Sequence, residues 1–249
     1  MNKYNPFIAG NIEIRLTRNQ EELKETMHLR YQELLLSYNE NNKNNEKLFQ
    51  DQYDEQADHL VAVDLSSNKI IGTYRLIRKA QLKVGQTFSS EDEFDISKIK
   101  DENILEISRA VVKKEYRTGA IIILLWKGLM NYAYKNKIKY IFGTASFYGT
   151  NPLSYSHALS YIFYNHLSPE QLRAKAKNEC SYPINILPLD QVNINLAKKQ
   201  LPALVKGYIN IGATFGEDAY IDRYFNSIDL LVLAETEKIN SKYINRFVK

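Results

Sequence analysis

The sequence predicts an α/β domain built on a mixed β-sheet. Segments with strand character alternate with segments of helical periodicity along the chain. The stretch 105–152 contains a strand, a turn, a long apolar helix and a second strand that ends in a loop rich in Gly, Ser, Thr and Asn. An early hairpin must pair antiparallel, so a mixed sheet fits better than a doubly wound parallel one.

The individual elements follow from local patterns. Strands are predicted at 11–16, in HLVAVDL and KIIGTYRLIRK with a turn at 66–68, and at 105–112, 139–146 and 227–235. Helices are predicted at 19–37 with Asn19 as N-cap, and at 116–137, 153–165, 202–211 and 239–247. Ser168 and Gln171, with Pro169 between them, form a capping-box pattern that predicts a further helix start. Residues 39–47 and 80–103 read as irregular.

Composition limits the function classes. A chain of 249 residues with 44% hydrophobic content can bury a full core, and its net charge of +4 gives no argument for nucleic acid binding. The single cysteine, Cys180, excludes an internal disulfide and a cysteine metal cluster. We see no signal-peptide run, and the longest apolar run, AIIILLW, is too short to span a bilayer. The expectation is a cytoplasmic protein whose membrane association, if any, is peripheral at the inner membrane.

Three groups of charged residues could carry chemistry. Asp51 and Asp54 form a D-x-x-D pair in FQDQYDEQADHL, where two solvated loop acids are the alternative. Arg75 lies on an apolar strand face and needs a partner for its charge. Glu106 and Arg109 lie in LEISR, and strict strand alternation would point them to opposite faces. A joint role for these two therefore requires a β-bulge between them.

Four motifs in this order resemble a branch of the GNAT acyltransferases. They are HLRYQELL with Arg30, the pair Asp51 and Asp54, GTYRL with Arg75, and LEISR with Glu106 and Arg109. Acyl-homoserine-lactone synthases and ornithine-acyl carrier protein N-acyltransferases share this set. The segments FGTASFYGTNP, LPALVKGYINIGA and GEDAYIDRYFNSIDLLVL resemble the ornithine branch. The resemblance extends from about 12 to 247.

The resemblance implies a fold and a reaction. The fold would be a GNAT-like, mainly antiparallel sheet flanked by helices, a single domain with a core at about 11–166 and a C-terminal α/β extension at about 167–249. The reaction would move a 3-hydroxyacyl chain from acyl carrier protein to the α-amine of ornithine and give lyso-ornithine lipid. Catalytic roles fall on Glu106, as base or water-positioning group, and on Arg109 or Arg75, which would hold the amino acid's carboxylate. A structural ion pair is the alternative for Arg109.

The donor prediction depends on the start of the long helix. GNAT enzymes that use CoA place R/Q-x-x-G-x-G/A there, whereas this chain has Arg117 and Gly119 followed by bulky isoleucines where the second glycine would be. Acyl carrier protein presents phosphopantetheine without the adenosine pyrophosphate, so this loss favours a carrier donor. Lys113, Lys114, Arg117 and Gly119 are the predicted carrier and pantetheine contacts, with a solvated turn as the alternative.

The acceptor prediction rests on further polar residues. Together with Arg30, Asp51 and Asp54, we assign Ser146, Glu217 and Asp222 to substrate binding. The segment GEDAYIDRYFN supplies Glu217, Asp218 and Asp222 as candidate readers of the ornithine ammonium group. Turn chemistry at Ser146 and an acidic surface loop at 217–222 are the alternatives.

Several rival interpretations remain. The acceptor could be glycine or a homoserine-lactone-type amine, the donor could be acyl-CoA, or the protein could be a non-catalytic acyl-binding or haemolysin-like protein. No nucleophile elbow is present, which favours direct transfer without an acyl-enzyme. The four histidines lack metal-ligand spacing, so we expect no metal, and the only cosubstrate group expected is the carrier's acyl-phosphopantetheine. The histidines are His28, His59, His157 and His166.

Overall fold

A computed structural model of the protein describes residues 4–177 and 180–239. The strands are β1 Phe7–Ala9, β2 Ile12–Leu16, β3 Asp58–Asp64, β4 Lys69–Arg78, β5 Phe94–Asp95, β6 Ile104–Val112, β7 Tyr140–Tyr148, β8 Lys175–Ala176, β9 Ser181–Pro183, β10 Thr214–Asp222 and β11 Ser227–Glu235. The α-helices are α1 Gln20–Arg30, α2 Leu36–Tyr38, α3 Ala120–Lys135, α4 Ser156–His166, α5 Ile194–Gln200 and α6 Ala203–Asn210.

The described residues form two compact units. The first contains residues 4–86 and 105–138, and the second contains residues 87–104 and the described residues from 139 to 239. In the first unit, β1, β2, β3, β4 and β6 are adjacent in that order, and each pairs antiparallel with the next. In the second unit, β7, β11, β10 and β9 form an antiparallel sheet, and β5 pairs with β8.

Helices cover both faces of the first unit's sheet. Leu29 of α1 joins a buried apolar cluster with Val61 and Val63 of β3. The alternate residue Leu60 points to the opposite face, where α3 packs. Gly128 of α3 allows this close approach, because a Cβ there would lie 2.6 Å from Cγ2 of Ile14. The side chains on the α1 face of β3 are therefore those that meet Arg30, the last residue of α1.

The structure confirms the predicted fold class, an α/β protein with mainly antiparallel sheets flanked by helices. The N-cap of α1 is Asn19, whose side chain accepts a hydrogen bond from the backbone N–H of Glu22 at 2.9 Å. Each predicted strand is present to within a few residues. The predicted helix at 239–247 lies outside the described residues.

Three helix predictions were wrong in detail. The capping-box pattern at Ser168 opens only a three-residue 3₁₀ turn, Glu170–Leu172. The reason is tertiary: the Ser168 hydroxyl donates to Thr214 Oγ1 at 2.8 Å instead of capping a helix. Helix α3 begins at Ala120 rather than at 116, after a 3₁₀ turn. The helix at 19–37 is interrupted by a π-helical turn, Tyr31–Leu35.

One helix, α5, was not predicted, because 194–200 places both apolar and charged residues in exposed positions.

A membrane crossing needs a helix that is both long and apolar, and none of the helices within 4–177 and 180–239 meets that condition.

Candidate active site

Five charged residues meet in the first unit. Arg30 ends α1, Asp51 and Asp54 lie in the turn before β3, and Arg75 and Arg109 lie on β4 and β6. We call these five the arginine–aspartate network. The five residues come from four separate parts of the sequence, so the network exists only in the folded chain.

Ion pairs of short length join the network. Arg30 Nη1 lies 2.7 Å from Asp54 Oδ1, and Arg75 Nη1 lies 3.3 Å from the same oxygen. Arg75 Nη1 also lies 2.5 Å from Asp51 Oδ1, while Arg109 Nη2 lies 2.7 Å from Asp51 Oδ2. Each aspartate therefore binds two arginines. The D-x-x-D pair is not a pair of solvated loop acids.

The spacing of the two aspartates has a local cause. Asp54 Oδ2 accepts the backbone N–H of Asp51 at 2.9 Å, and Asp51 Oδ1 accepts the backbone N–H of Tyr53 at 2.9 Å. Aspartates favour such turns because a short carboxylate can accept a backbone N–H two or three residues away. The turn is thus closed by the same carboxylates that hold the arginines.

Burial decreases from one end of the network to the other. The side chains of Arg30, Arg75 and Asp54 are 0%, 1% and 3% exposed, whereas those of Asp51 and Arg109 are each 24% exposed. A charge that is buried and paired cannot easily exchange its partner for a ligand, because breaking the pair leaves an uncompensated buried charge. Asp51 and Arg109 are therefore the members best placed to contact a substrate.

The electrostatic state of the network follows from these pairs. Burial by itself raises the pKa of Asp51, but the nearby Arg75 and Arg109 outweigh it and lower that pKa to about 2. Burial lowers the pKa of Arg30 to about 10, although Asp54 opposes the shift. At neutral pH the aspartates are ionised and Arg30 is cationic.

Arg109 lies in a β-bulge. Arg75 pairs with Ser108 and Thr73 pairs with Val111, so two residues of β6, Arg109 and its neighbour, lie opposite the single residue between Thr73 and Arg75. Arg109 has a φ of +54°, in the left-handed region that non-glycine residues rarely adopt. This is the bulge that a joint role of Glu106 and Arg109 requires, and it brings the Arg109 guanidinium to Asp51. A strained non-glycine residue of this kind is typical of functional sites.

Glu106 lies on the same side of the sheet as Arg75. It pairs with Ile77, two residues from the Arg75 and Ser108 pair, so the strand alternation places both side chains on one face. Glu106 is completely buried. Burial by itself lowers the pKa of Arg75, but the negative charges of Asp51, Asp54 and Glu106 outweigh it and raise that pKa. The side chains predicted to act together on β4 and β6 are therefore close in space.

Two aromatic rings and one hydroxyl complete the surroundings, and sequence reasoning did not find them. Arg109 stacks on Phe49 with 4.0 Å from Cζ to the ring centroid, and Arg75 lies 5.7 Å from the ring of Tyr53. Arg75 Nε donates to Ser108 Oγ at 2.9 Å. Ser108 could have been found from the sequence, because it is the serine of the E-x-S-R motif. Its hydrogen-bond partner, Arg75, is known only from the register of β4 and β6.

The predicted carrier contacts lie where β6 leads into α3. Lys113 Nζ is 3.9 Å from Glu115, and Arg117 Nη2 is 2.8 Å from Glu33. Lys114 is exposed. Two of the three cations thus already have a carboxylate nearby. Gly119 has a φ of +89° immediately before α3, a backbone conformation that favours glycine.

The remaining predicted substrate residues belong to the second unit. Ser146 of β7 pairs in register with Asp229 of β11. Glu217 lies 2.7 Å from Lys175 Nζ and 3.4 Å from Arg173 Nη1. Asp222 belongs to a group of three carboxylates, with Glu93 and Asp229, whose oxygens lie within 4.8 Å of one another. Glu217 is thus already paired with cations, whereas Asp222 lies among other acids.

Comparison with known proteins gives the family. An "Acetyltransferase (GNAT) domain" family model matches residues 29–127. The L-ornithine N(alpha)-acyltransferase of Agrobacterium fabrum is 32% identical over 251 residues, covering 96% of this chain and 85% of that protein. The chain belongs to the L-ornithine N(alpha)-acyltransferase family. The enzyme of the same name from Brucella abortus is 31% identical over 258 residues, with coverage of 96% and 92%.

Solved structures support the GNAT-like fold of this family member. FeeM, an N-acyl amino acid synthase from uncultured soil microbes, aligns with a TM-score of 0.54 at 8% identity, covering 94% of this chain and 93% of FeeM. MesI, a CoA-dependent acyl-homoserine lactone synthase, gives a TM-score of 0.54 at 13% identity with the same coverage. These structures support the fold alone, and the family model and the curated relatives show that this family member is an acyltransferase.

The low pKa of Asp51 predicts that this protein loses stability in acid. A carboxylate whose folded-state pKa is depressed to about 2, from an ordinary 3.8, contributes stability that is present above pH 3.8 and lost as the pH falls toward 2. We expect the free energy of unfolding to fall across this window, and to fall less steeply in Asp51→Asn. Urea unfolding at pH 5, 4 and 3, for the wild type and the variant, measures the two slopes; equal slopes would remove Asp51 as the cause.

Proposed function

We propose that this protein transfers a 3-hydroxyacyl chain from acyl carrier protein to the α-amine of ornithine and so produces lyso-ornithine lipid. Membership of the L-ornithine N(alpha)-acyltransferase family carries this proposal. The arginine–aspartate network supports it, because its least buried members, Asp51 and Arg109, present a cation that can bind an amino acid's carboxylate.

The chemistry needs a neutral amine. The α-amine of an amino acid has a pKa above neutrality and must lose a proton before it attacks the thioester carbonyl. Glu106 takes the role of base or positions the water that removes the proton. The nitrogen bonds to the carbonyl carbon, the tetrahedral oxyanion is met by backbone N–H groups near the bulge, and the carrier's thiol leaves with a proton as the amide forms. The transfer is direct, with no acyl-enzyme and no resident cofactor, and acyl-phosphopantetheine is a cosubstrate.

A turnover assay tests the proposal. Purified protein is incubated with 3-hydroxyacyl carrier protein and L-ornithine, while released carrier thiol is measured and the product is identified by mass spectrometry. We expect thiol release that depends on ornithine, together with an Nα-acylated product. Thioester binding without thiol release would instead indicate an acyl-binding protein, and acylation of glycine at an equal rate would reject ornithine as the specific acceptor.

The carrier donor predicts a salt effect. Acyl carrier proteins are strongly acidic, so exposed cations near the start of α3 would steer them. We expect the apparent carrier affinity to fall between about 50 and 500 mM salt, as the Debye length shrinks from roughly 14 to 4 Å. Lys114→Gln should weaken carrier binding and flatten this dependence, because Lys114 is exposed while Lys113 and Arg117 have carboxylates nearby.

The matched control for the carrier experiment is Lys83→Gln, which removes the same charge from another exposed position. Its salt dependence should equal that of the wild type. Affinity that does not respond to salt, or equal rates with acyl-CoA, would contradict a carrier donor.

The ornithine side chain supplies a second prediction. Selection of ornithine over glycine requires a carboxylate for its ammonium group. We propose Asp222 for this role rather than Glu217, which already binds Lys175 and Arg173. Asp222→Asn should weaken the binding of ornithine by about 1 to 3 kcal/mol, the contribution of a hydrogen bond to a charged group. The acylation of glycine should be unchanged. Competition assays with both amino acids measure the ratio. Glu217→Gln is the paired control, and an unchanged ratio in Asp222→Asn would exclude Asp222.

We also propose a peripheral contact with the membrane, because the product is an amphiphile with a long acyl chain. Co-sedimentation with vesicles that contain anionic lipids tests it. Protein that remains in the supernatant at every lipid concentration would reject the contact.

A further inference from the structure

His59 is a buried histidine that contacts two members of the arginine–aspartate network. It lies on β3, is 2% exposed, and pairs in register with Arg75 of β4. Its Nδ1 lies 2.7 Å from Arg30 Nη2, and its Nε2 lies 3.0 Å from the backbone carbonyl oxygen of Asp54. The imidazole thus contacts both partners of the Arg30 and Asp54 ion pair, one through its side chain and the other through its backbone.

These two contacts determine the tautomer. An arginine N–H can only donate a hydrogen bond, so Nδ1 must accept and carries no proton. A carbonyl oxygen can only accept, so Nε2 must carry the proton and donate. The imidazole is therefore neutral with its single proton on Nε2, the one state in which both bonds can form.

The surroundings keep His59 in this neutral state. The charged groups that face it are Arg30 from α1, Asp54 from the turn before β3, and Arg75 from β4. Burial, followed by the positive charge of Arg30, lowers the pKa of His59 to about 4, while Asp54 opposes the shift. The charge of the network therefore does not change around neutral pH.

Arg30 depends on His59 for its orientation. Arg30 Nε is buried and has no hydrogen-bond partner among the residues that the structure describes. The guanidinium is thus fixed by Asp54 at Nη1 and by His59 at Nη2. Asp54 in turn contacts Arg75 and closes the turn that presents Asp51 to Arg109.

We propose that His59 is a positioning residue of the acyltransferase, which accepts a hydrogen bond from Arg30 through Nδ1 and thereby sets the geometry of Asp51 and Arg109. Its role in turnover rests on the proposed function, whereas its tautomer and its contacts do not. A small misplacement of a group that orients substrate can lower activity substantially, on the order of 10²-fold.

Two amide variants separate the two hydrogen bonds of His59. In His59→Asn the amide oxygen can occupy the position of Nδ1 and accept from Arg30, but nothing replaces Nε2. In His59→Gln the amide nitrogen can reach the position of Nε2 and donate to Asp54, but nothing replaces Nδ1. If Nδ1 is the important atom, kcat/KM for the amino acid falls about 10-fold or more in His59→Gln, mainly through KM, while His59→Asn recovers to within about threefold of the wild type.

Two kinetic outcomes would overturn the proposal. If kcat/KM falls equally in both variants and thermal stability falls with it, His59 has only a structural role. If both variants have wild-type kinetics, His59 has no role in positioning. His157→Gln, a half-buried histidine on α4, is the control and should behave as the wild type.

Imidazole ¹⁵N NMR tests the tautomer directly. We expect an unprotonated Nδ1, a protonated Nε2 and no titration of His59 between about pH 5.5 and 8. A proton on Nδ1, or titration in this range, would overturn the proposal. This measurement needs no turnover, so it distinguishes a failure of the His59 assignment from a failure of the proposed reaction.

Discussion

Glu106→Gln should lower kcat by about 10² or more, the usual scale for losing a general base, while the protein stays folded. Glutamine keeps the size of the side chain and its hydrogen-bonding capacity but cannot take a proton from the amine. Arg75, which benefits from the charge of Glu106, retains its ion pairs with Asp51 and Asp54. The loss should therefore fall on turnover rather than on the fold.

The measurement is steady-state kinetics of Glu106→Gln with ornithine at neutral pH, accompanied by thermal unfolding. The control is Glu237→Gln, whose parent side chain is exposed and has been given no role in the site, and which should behave as the wild type. Wild-type turnover in Glu106→Gln would remove Glu106 from the mechanism. Unfolding of the variant would assign Glu106 to the support of Arg75 instead.

Asp54→Asn should lower the free energy of unfolding by about 3 to 5 kcal/mol, the cost of removing one partner of a buried ion pair. Arg30 is fully buried, and Asp54 is its carboxylate partner at 2.7 Å. The amide keeps the shape of the side chain but removes the negative charge, so the guanidinium of Arg30 stays in the interior without compensation. Arg75 also loses one of its two carboxylate partners.

Urea unfolding at pH 7 measures this loss, with the slope of the transition compared to confirm that the same surface is exposed on unfolding. Glu237→Gln again serves as control, because an exposed substitution should stay within about 0.5 kcal/mol. A loss below about 1 kcal/mol in Asp54→Asn would mean that Arg30 finds another partner. The double variant with Arg30→Met should recover part of the loss, since no uncompensated charge then remains buried.

The sequence by itself predicted the elements that depend on local chemistry. Alternating apolar residues predicted the strands, and Asn19 predicted the start of α1, because both signals act over a few neighbouring residues. The motifs around Arg30, Asp51, Asp54, Arg75 and Arg109 indicated the family, which the comparisons confirmed.

Local patterns failed where a distant residue competes for the same group. Ser168 has the sequence of a helix cap, but its hydroxyl binds Thr214, forty-six positions away along the chain. The helix at 19–37 has continuous periodicity, yet a π-helical turn begins directly after Arg30, whose side chain is held by Asp54 and His59. These contacts cannot be predicted from the residues that are adjacent in the sequence.

The site was decided in the same way. The sequence could state that Glu106 and Arg109 need a bulge to act together, but only the pairing of β4 with β6 shows it, together with the positive φ of Arg109. The sequence indicated no role for His59, because the hydrogen bonds of its side chain are made to Arg30 and to the backbone of Asp54, which are distant in the sequence or fixed by the fold. Residue identity and spacing determined the family and the candidate side chains. Strand register and burial determined which of these side chains are paired, which one is neutral and which lie near the surface. The reason is that hydrogen bonds and charge pairs form between atoms that only the tertiary structure brings within about 3 Å.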